Sequence, residues 1–342
     1  RHAEATGARA VAMAKEGLTP DKIMTPAAFA NAFKMLLATG GSTNGLVHMT
    51  AIAGRLGIEV DLDALDKLSD RIPVLVDLKP SGQHYMEDLN NAGGAAPILR
   101  AIRDDLDLDC MTVSGRTLGQ EIDAAPADWG QQVVRPRDNP IFPKGGIAVL
   151  KGTLAPNGAI IKQSAAAAHL MRHSGRAVVF EDLEDLANRL DDPDLDVAAD
   201  DILVLKNAGP KGAPGMPESG YIPIPRKLAA QGVKDMLRLS DARMSGTAFG
   251  AIVLHISPEA ADGGPLGLVQ NGDRIELDVE ARRLDLMVDP AELERRRKSW
   301  SAPAHPGQER GYLKLYLDEV TQAEDGADFR FLTPNRTGAK TP

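Results

Sequence analysis

Through residues 1–38 small and apolar positions recur at helical spacing. Gly17 is placed to end a first helix, and Thr25-Pro26 supplies a cap followed by a proline at the first helical position. Phe29, Phe33, Leu36 and Leu37 then share one face, which reads as core packing. The stretch GGSTN at 40–44 interrupts the pattern, and GLVHMTAIAGRL resumes it over 45–56. Asp61 caps a short helix in which Leu62, Leu65 and Leu68 recur. Residues 72–82 predict a buried strand and a turn. Residues 86–106 and 112–122 return to helical spacing.

The texture changes near Asn139, where a domain boundary is expected. Short β-type runs follow at 147–152, 159–163, 176–181, 201–207, 251–257, 273–279 and 283–289, separated by turn residues such as Asn157-Gly158 and Asn271-Gly272. Helices are expected at 182–190, 226–236 and 290–300, the last with a basic run, Arg295 to Lys298, read as a solvated face. The pattern predicts an α/β protein: a helical part over 1–138, a β-rich part over 139–331 that reads as a mixed barrel or sandwich with a few helices, and a frayed tail over 332–342.

The 342 residues carry 39 Lys and Arg against 48 Asp and Glu, a formal charge of −9. That balance argues against nucleic acid and against an anionic membrane surface as partners, since both need a basic footprint. No apolar run approaches the roughly 20 residues of a membrane helix. The single cysteine, Cys110, excludes an internal disulfide framework and any multi-cysteine metal site built by this chain alone. The chain opens at Arg1 inside a helical pattern and without an initiator Met, so a fragment is expected.

Four segments are too polar or too rich in small residues for their surroundings: GGSTN (40–44), DLKPSG (77–82), NAGPKGAPGMPESG (207–220) and SDARMSGTAFG (240–250). The third lies between a strong strand and an amphipathic helix, where a rigid Gly- and Pro-rich loop lets backbone approach a ligand. Its one carboxylate, Glu218, reads either as a hard-cation ligand or as a capping or solvated acid. In the fourth, Ser245 sits between Arg243 and Gly246-Thr247 at a turn beside a strand. It reads as a turn former, or as a hydroxyl presented to a cleft with an anion site at Arg243 and the backbone N–H groups. Ser42, Thr43 and Asn44 are candidates for a helix cap or for substrate contact. Lys79 reads as a surface lysine. His169 and His173 lack a metal-binding frame, and His255 reads as a satisfied imidazole in the core.

GGSTNGLVHMTAIAGRLGI, LSDRIPVLVDLKPSGQHYMEDLNNAGG, LKNAGPKGAPGMPES and LRLSDARMSGTAFGAIVLHISPEA, in this order, closely resemble the dihydroxy-acid and phosphogluconate dehydratase family. The likeness runs from about residue 1 to 331. Within the family, SDARMSGTAFG, the lead-in IPIPRKLAAQG and the ending GYLKLYLDEVTQAEDGADFRFL are most similar to the sugar-acid branch of arabinonate and xylonate dehydratases. The resemblance implies a hydro-lyase that converts a 2,3-dihydroxy acid into a 2-keto-3-deoxy acid. It implies an iron–sulfur cluster as Lewis acid, a Mg²⁺ near the substrate carboxylate, and a serine acting as base. Carried over by position, Ser245 matches the base, Glu218 a Mg²⁺ ligand, and Ser42, Thr43 and Thr247 substrate contacts.

The family's cluster cysteines, its other Mg²⁺ ligands and its carbamylated lysine belong to an N-terminal region that this chain does not contain. Cys110 matches none of the cluster ligands and reads as a small buried hydrophobe. The resemblance therefore implies the rear of a cluster-bearing α/β domain followed by a β-rich, swivelling-type domain. The expected protein is cytoplasmic, a homo-oligomer when intact, acts on a small hydroxy acid, and is inactive as this chain alone. A dehydratase of branched-chain dihydroxy acids and a non-catalytic sugar-acid binder are the alternatives.

Overall fold

The computed structural model describes residues 1–127, 130–246, 248–334 and 340–341. By its internal packing the chain divides into two units. The first holds Arg1–Gly40, Ala53–Gly145 and the closing stretch; the second holds Gly41–Ile52 and Gly146–Thr333. The chain thus passes between units after Gly145, and a short early segment belongs with the later unit.

The first unit is mainly helical: α1 (His2–Glu16), α2 (Pro20–Ile23), α3 (Pro26–Ala38), α4 (Asn44–Arg55, of which the part beyond Ile52 falls here), α5 (Leu62–Ser69), α6 (Met86–Asn91), α7 (Ala95–Ala101) and α8 (Leu118–Ala124). The caps are where the residue types call for them. Gly17 is left-handed at φ 66 and closes α1. Thr25 accepts from the Ala28 N–H before Pro26, and Asp61 accepts from those of Asp63 and Ala64. Phe29, Phe33 and Leu37 form the buried face of α3, and Leu65, Ile98 and Ile102 are likewise buried. Burying one such side chain contributes about 1.5–3 kcal/mol. Residues 72–77 are buried, but the strand predicted there is only a series of isolated bridges, Val74 to Phe142 and Val76 to Val134. Its backbone is shared out instead, with the Leu75 N–H donating to the Ala38 carbonyl at the end of α3. In the segment expected as a frayed tail, β10 (Lys340–Thr341) pairs in parallel with β1 (Glu59–Val60).

The second unit is built on one eight-stranded sheet of β2 (Ala148–Leu150), β3 (Gly158–Ile161), β4 (Arg172–Phe180), β5 (Ile202–Leu205), β6 (Arg238–Ser240), β7 (Ile252–Ser257), β8 (Arg274–Asp278) and β9 (Arg283–Leu286). The strand order is β2-β3-β7-β6-β5-β4-β8-β9. Strands β4 to β7 run parallel, and antiparallel pairs flank them. Lys151, just past β2, bridges Arg283 of β9, which brings the last strand back to the first and nearly closes a barrel. The fold is mixed α/β.

The continuous apolar runs follow from burial on both faces of the sheet. Ala177, Val179, Ile202 and Val204 join a core with Leu239, Val253 and Leu284. Their neighbours Val178, Phe180, Leu203 and Leu205 face the other way, against Leu186 of α9 (Leu183–Arg189) and Leu228 of α10 (Arg226–Ala230). Two further helices follow, α11 (Pro290–Ser299) and α12 (Gly311–Glu319). The basic run on α11 is not uniformly solvated. The Arg296 side chain is 11% exposed and ion-paired with Asp273 and Glu292, because an acid in the turn before β8 and one a helical turn earlier on α11 converge on it.

Candidate functional site

Because β5, β6 and β7 are parallel, the loops that leave them emerge at one edge of the sheet. The carboxyl edge of parallel strands is where such sheets place ligands. The loop after β5 runs from Lys206 to Gly220 and carries Glu218; the loop after β6 carries Asp241 to Ser245. The two are laced together. The Gly220 N–H donates to the Arg243 carbonyl at 2.8 Å, and Arg243 Nε donates to the Met216 carbonyl at 2.5 Å. Gly220 is required by proximity: a Cβ there lies 2.4 Å from Leu254 Cδ2. Met216 is buried with φ 47, a conformation that costs a residue with a Cβ about 1–2 kcal/mol and is retained where surroundings enforce it.

The part of GGSTN that lies in the same unit, Gly41–Asn44, meets both loops. Asn44, at the start of α4, donates through Nδ2 to Glu218 Oε1 in a short hydrogen bond and to the Met244 carbonyl at 3.1 Å. Glu218 and the residue preceding Ser245 are therefore joined through one amide nitrogen. Asn44 Oδ1 is buried with no hydrogen-bond partner. Ser42 Oγ accepts from the Asn44 N–H at 3.2 Å, in the manner of a cap. Ser42 also abuts the turn after Ser245, where a Cβ added to Gly246 lies 2.9 Å from Ser42 Cβ. Glu218 is exposed and Ser245 partly exposed, so both are open to an incoming molecule. Thr43 is 2% exposed and its carbonyl accepts from the Leu46 N–H. Thr247 lies outside the described residues.

Two histidines border this cluster. His48 is exposed, its Nε2 3.3 Å from Arg243 Nη1. His255, on β7, is 5% exposed with φ 54, and its N–H donates to the Ala242 carbonyl. It is a core imidazole, as expected, but not a satisfied one, since Nε2 has no partner. Burial first, and then the nearby Arg243 charge, lower its pKa to about 3, so it is neutral at ordinary pH.

The partnership of Asn44 with Glu218 is not visible in the sequence, because 174 residues separate them and neither stands in a spacing motif. Lys79, in the first unit, lies 4.0 Å over the Tyr85 ring and donates to its hydroxyl. His173 Nε2 is engaged by the Asp200 carbonyl.

Among the described residues, no group of three or more His, Cys, Asp or Glu is arranged to hold a metal ion. Glu218, exposed and with one carboxylate oxygen engaged by Asn44, has the donor chemistry of a single hard-cation ligand. An iron–sulfur cluster does not fit this chain. Cys110 is its one cysteine, is partly buried, and has its thiol pKa raised by burial rather than lowered as a thiolate ligand requires.

Comparison with known proteins follows the same outline. Residues 1–121 match the family described as dihydroxy-acid/6-phosphogluconate dehydratase N-terminal, and residues 132–327 match its C-terminal counterpart. The chain is 47% identical to the L-arabonate dehydratase of Azospirillum brasilense, over 99% of this chain and 59% of that protein. It is 44% identical to the 6-deoxy-6-sulfo-D-gluconate dehydratase of Pseudomonas putida, over 100% and 59%. It is 41% identical to the dihydroxy-acid dehydratase of Ignicoccus hospitalis, over 96% and 59%. The chain thus spans about three-fifths of the length of these relatives.

Proposed function

The chain belongs to the dihydroxy-acid/6-phosphogluconate dehydratase family, and from that premise we propose that the intact protein is a hydro-lyase acting on a sugar acid. It removes water from a 2,3-dihydroxy aldonate and gives the 2-keto-3-deoxy acid. The observation that carries the reading is the single cluster in which Asn44 ties the Glu218 carboxylate to the backbone beside Ser245. The higher identity to sugar-acid dehydratases than to the dihydroxy-acid dehydratase supports the aldonate class.

In this reading Ser245 removes the C2 proton, the C3 hydroxyl departs, and the enol formed between C2 and C3 tautomerises to the ketone. An unassisted serine hydroxyl is far too weak a base for this at neutral pH, so positive charge near it must lower its pKa. A Mg²⁺ for which Glu218 would be one ligand, and an iron–sulfur cluster held wholly by residues outside this chain, would supply that charge and the Lewis acidity for the leaving hydroxyl. This chain's part is to offer Glu218 as one cation ligand, to hold it with Asn44, and to present Ser245 at a tight turn; Ser42 and Thr247 contribute substrate contacts, and Thr43, buried at 2% exposure, would do so only on a local opening. Residues 1–138 then form the rear of the cluster-bearing domain, 139–331 the swivelling-type domain, and 332–342 a tail. The protein works in the cytoplasm as a homo-oligomer on a small molecule, without nucleic acid or membrane. The formal charge of −9 supports the reading that nucleic acid is not a partner; among the described residues no helix is long and apolar enough to cross a membrane.

The test joins the part of the Azospirillum relative that this chain does not cover to the amino end of all 342 residues. The chimera is assayed for 2-keto-3-deoxy acid formation from L-arabinonate and from a branched-chain dihydroxy acid. Turnover of the aldonate, abolished by Ser245→Ala and reduced at least about a hundredfold by Glu218→Gln, is expected; the 342-residue chain alone gives none. Preference for the branched-chain acid, or binding of the aldonate without turnover, overturns the reading.

A further inference from the structure

Beneath the loop that carries Glu218 lie two carboxylates which the mechanism does not use. Asp241 is the first residue after β6 and is fully buried; Glu259 follows β7 and is 1% exposed. Asp241 Oδ1 accepts from the Ala208 N–H and Oδ2 from the Ala260 N–H, each at 2.9 Å. Glu259 accepts from the Lys211 N–H at 2.9 Å and from that of Gly212 at 2.9 Å. Gln322 fixes it from the other side, Nε2 donating to Glu259 Oε1 and Oε1 accepting from the Glu259 N–H, both at 2.8 Å. The lysines of the same loop do not neutralise the pair, since Lys206 is paired with Glu181 and Lys211 with Asp262.

Two like charges buried side by side are an expensive way to gain stability, and apolar residues of similar volume commonly serve as well or better. What a carboxylate does that an apolar side chain cannot is accept several backbone N–H groups at once in a fixed geometry. Here the N–H groups belong to the loops after β5 and β7, while Asp241 itself begins the loop that ends in Ser245. We propose that Asp241 and Glu259 are positioning residues that clamp the Gly-rich loop 207–220 to the loops after β6 and β7, and so set Glu218 in place relative to Ser245. The value of that placement rests on the function proposed above; the clamp itself does not.

Burial raises the pKa of both acids, and the neighbouring Glu259 adds to it for Asp241, which reaches about 7; above that pH Asp241 takes an N–H on each oxygen as a carboxylate, and protonation turns one oxygen into a competing donor. Asp241→Asn and Glu259→Gln reproduce that conflict at constant shape. In the 342-residue chain, amide hydrogen exchange is followed above pH 7 for peptides covering 207–212 and 258–262, with strand β4 as internal reference. Both variants are expected to exchange about tenfold faster or more in 207–212 while β4 keeps its protection. Gln322→Ala, which leaves both acids in place, is expected to loosen Lys211 and Gly212 alone, and it decides the question if an acid variant does not fold. In the chimera, Asp241→Asn is expected to lower kcat about tenfold or more with KM changed less than threefold. Unaltered exchange in 207–212, or an equal loss of protection in β4, overturns the clamp, and a change confined to KM overturns its part in placing Glu218 relative to Ser245. A chimera without turnover removes the functional reading and leaves the exchange result to judge the clamp.

Discussion

Arg238 and Asp235 offer a sharp test of how the strand leading to Ser245 is held. The Arg238 side chain is 2% exposed and that of Asp235 12%. Arg238 Nη2 donates to Asp235 Oδ1 at 2.6 Å, Nη1 to the Ile222 carbonyl at 3.0 Å, and Nε to the Met236 carbonyl at 3.2 Å. Asp235 in turn accepts the N–H groups of Ala167, Met236 and Ala251. Arg238→Met removes the cation and fills its stem with carbon, but Asp235 keeps its three backbone donors. The expected cost is near the lower end of the range for breaking a buried pair, about 3 kcal/mol. Asp235→Ala leaves a buried guanidinium unpaired and strands three N–H groups besides, so about 4–5 kcal/mol is expected. The double variant loses charge of both signs and is expected to cost less than the two single changes together by about 1–3 kcal/mol. Urea unfolding followed by far-UV circular dichroism measures all three. For a domain of this size, 3 kcal/mol corresponds to a midpoint lowered by roughly 6–12 °C. A cost below about 1 kcal/mol for Arg238→Met, the reverse order of the single variants, or simple additivity would refute the reasoning.

Three further outcomes are expected. Gly220→Ala forces a Cβ against Leu254 Cδ2 and the Arg243 carbonyl, costs about 1–3 kcal/mol by overpacking, and is partly relieved by Leu254→Ala in the same unfolding assay. The unfolded chain protonates His255 below its ordinary pKa of 6.5, while the folded chain resists down to about 3. Stability is therefore lost as the pH falls through that window, and His255→Asn, which tolerates the left-handed backbone, is expected to lessen the loss while leaving the melting midpoint at pH 7.5 within a few degrees. In the chimera, Asn44→Ala removes a charge-assisted hydrogen bond of about 1.5 kcal/mol from Glu218, and the Mg²⁺ concentration for half-maximal turnover is expected to rise about tenfold.

Hydrophobic period made most of the second unit legible, because a strand buried on both faces shows as an unbroken apolar run; Val178-Val179-Phe180 and Ile202 to Leu205 are such runs. Strand β6 escaped because it is short and opens on Arg238, whose charge reads as exposed until Asp235 is seen beside it. The stretch at 72–77 shows the converse error: its burial was readable, but its backbone partners are a helix end and irregular chain rather than a neighbouring strand. At the site, residue chemistry marked Glu218 and Ser245 out, whereas Asn44 and Asp241 act through partners 174 and 33 positions away. Composition and local spacing hold no trace of a contact closed only by the tertiary fold.

The assignment of Gly41–Ile52 to the later unit has an evolutionary corollary. The two family segments meet between residues 121 and 132, the natural seam for recombination between paralogues. An exchange at that seam would transplant Glu218 and Ser245 while leaving their amide tether, Asn44, with the recipient. Hybrids crossed there take Asn44 from one parent and both of its partners from the other, so a change at GGSTN is expected to need a matching change in the two loops.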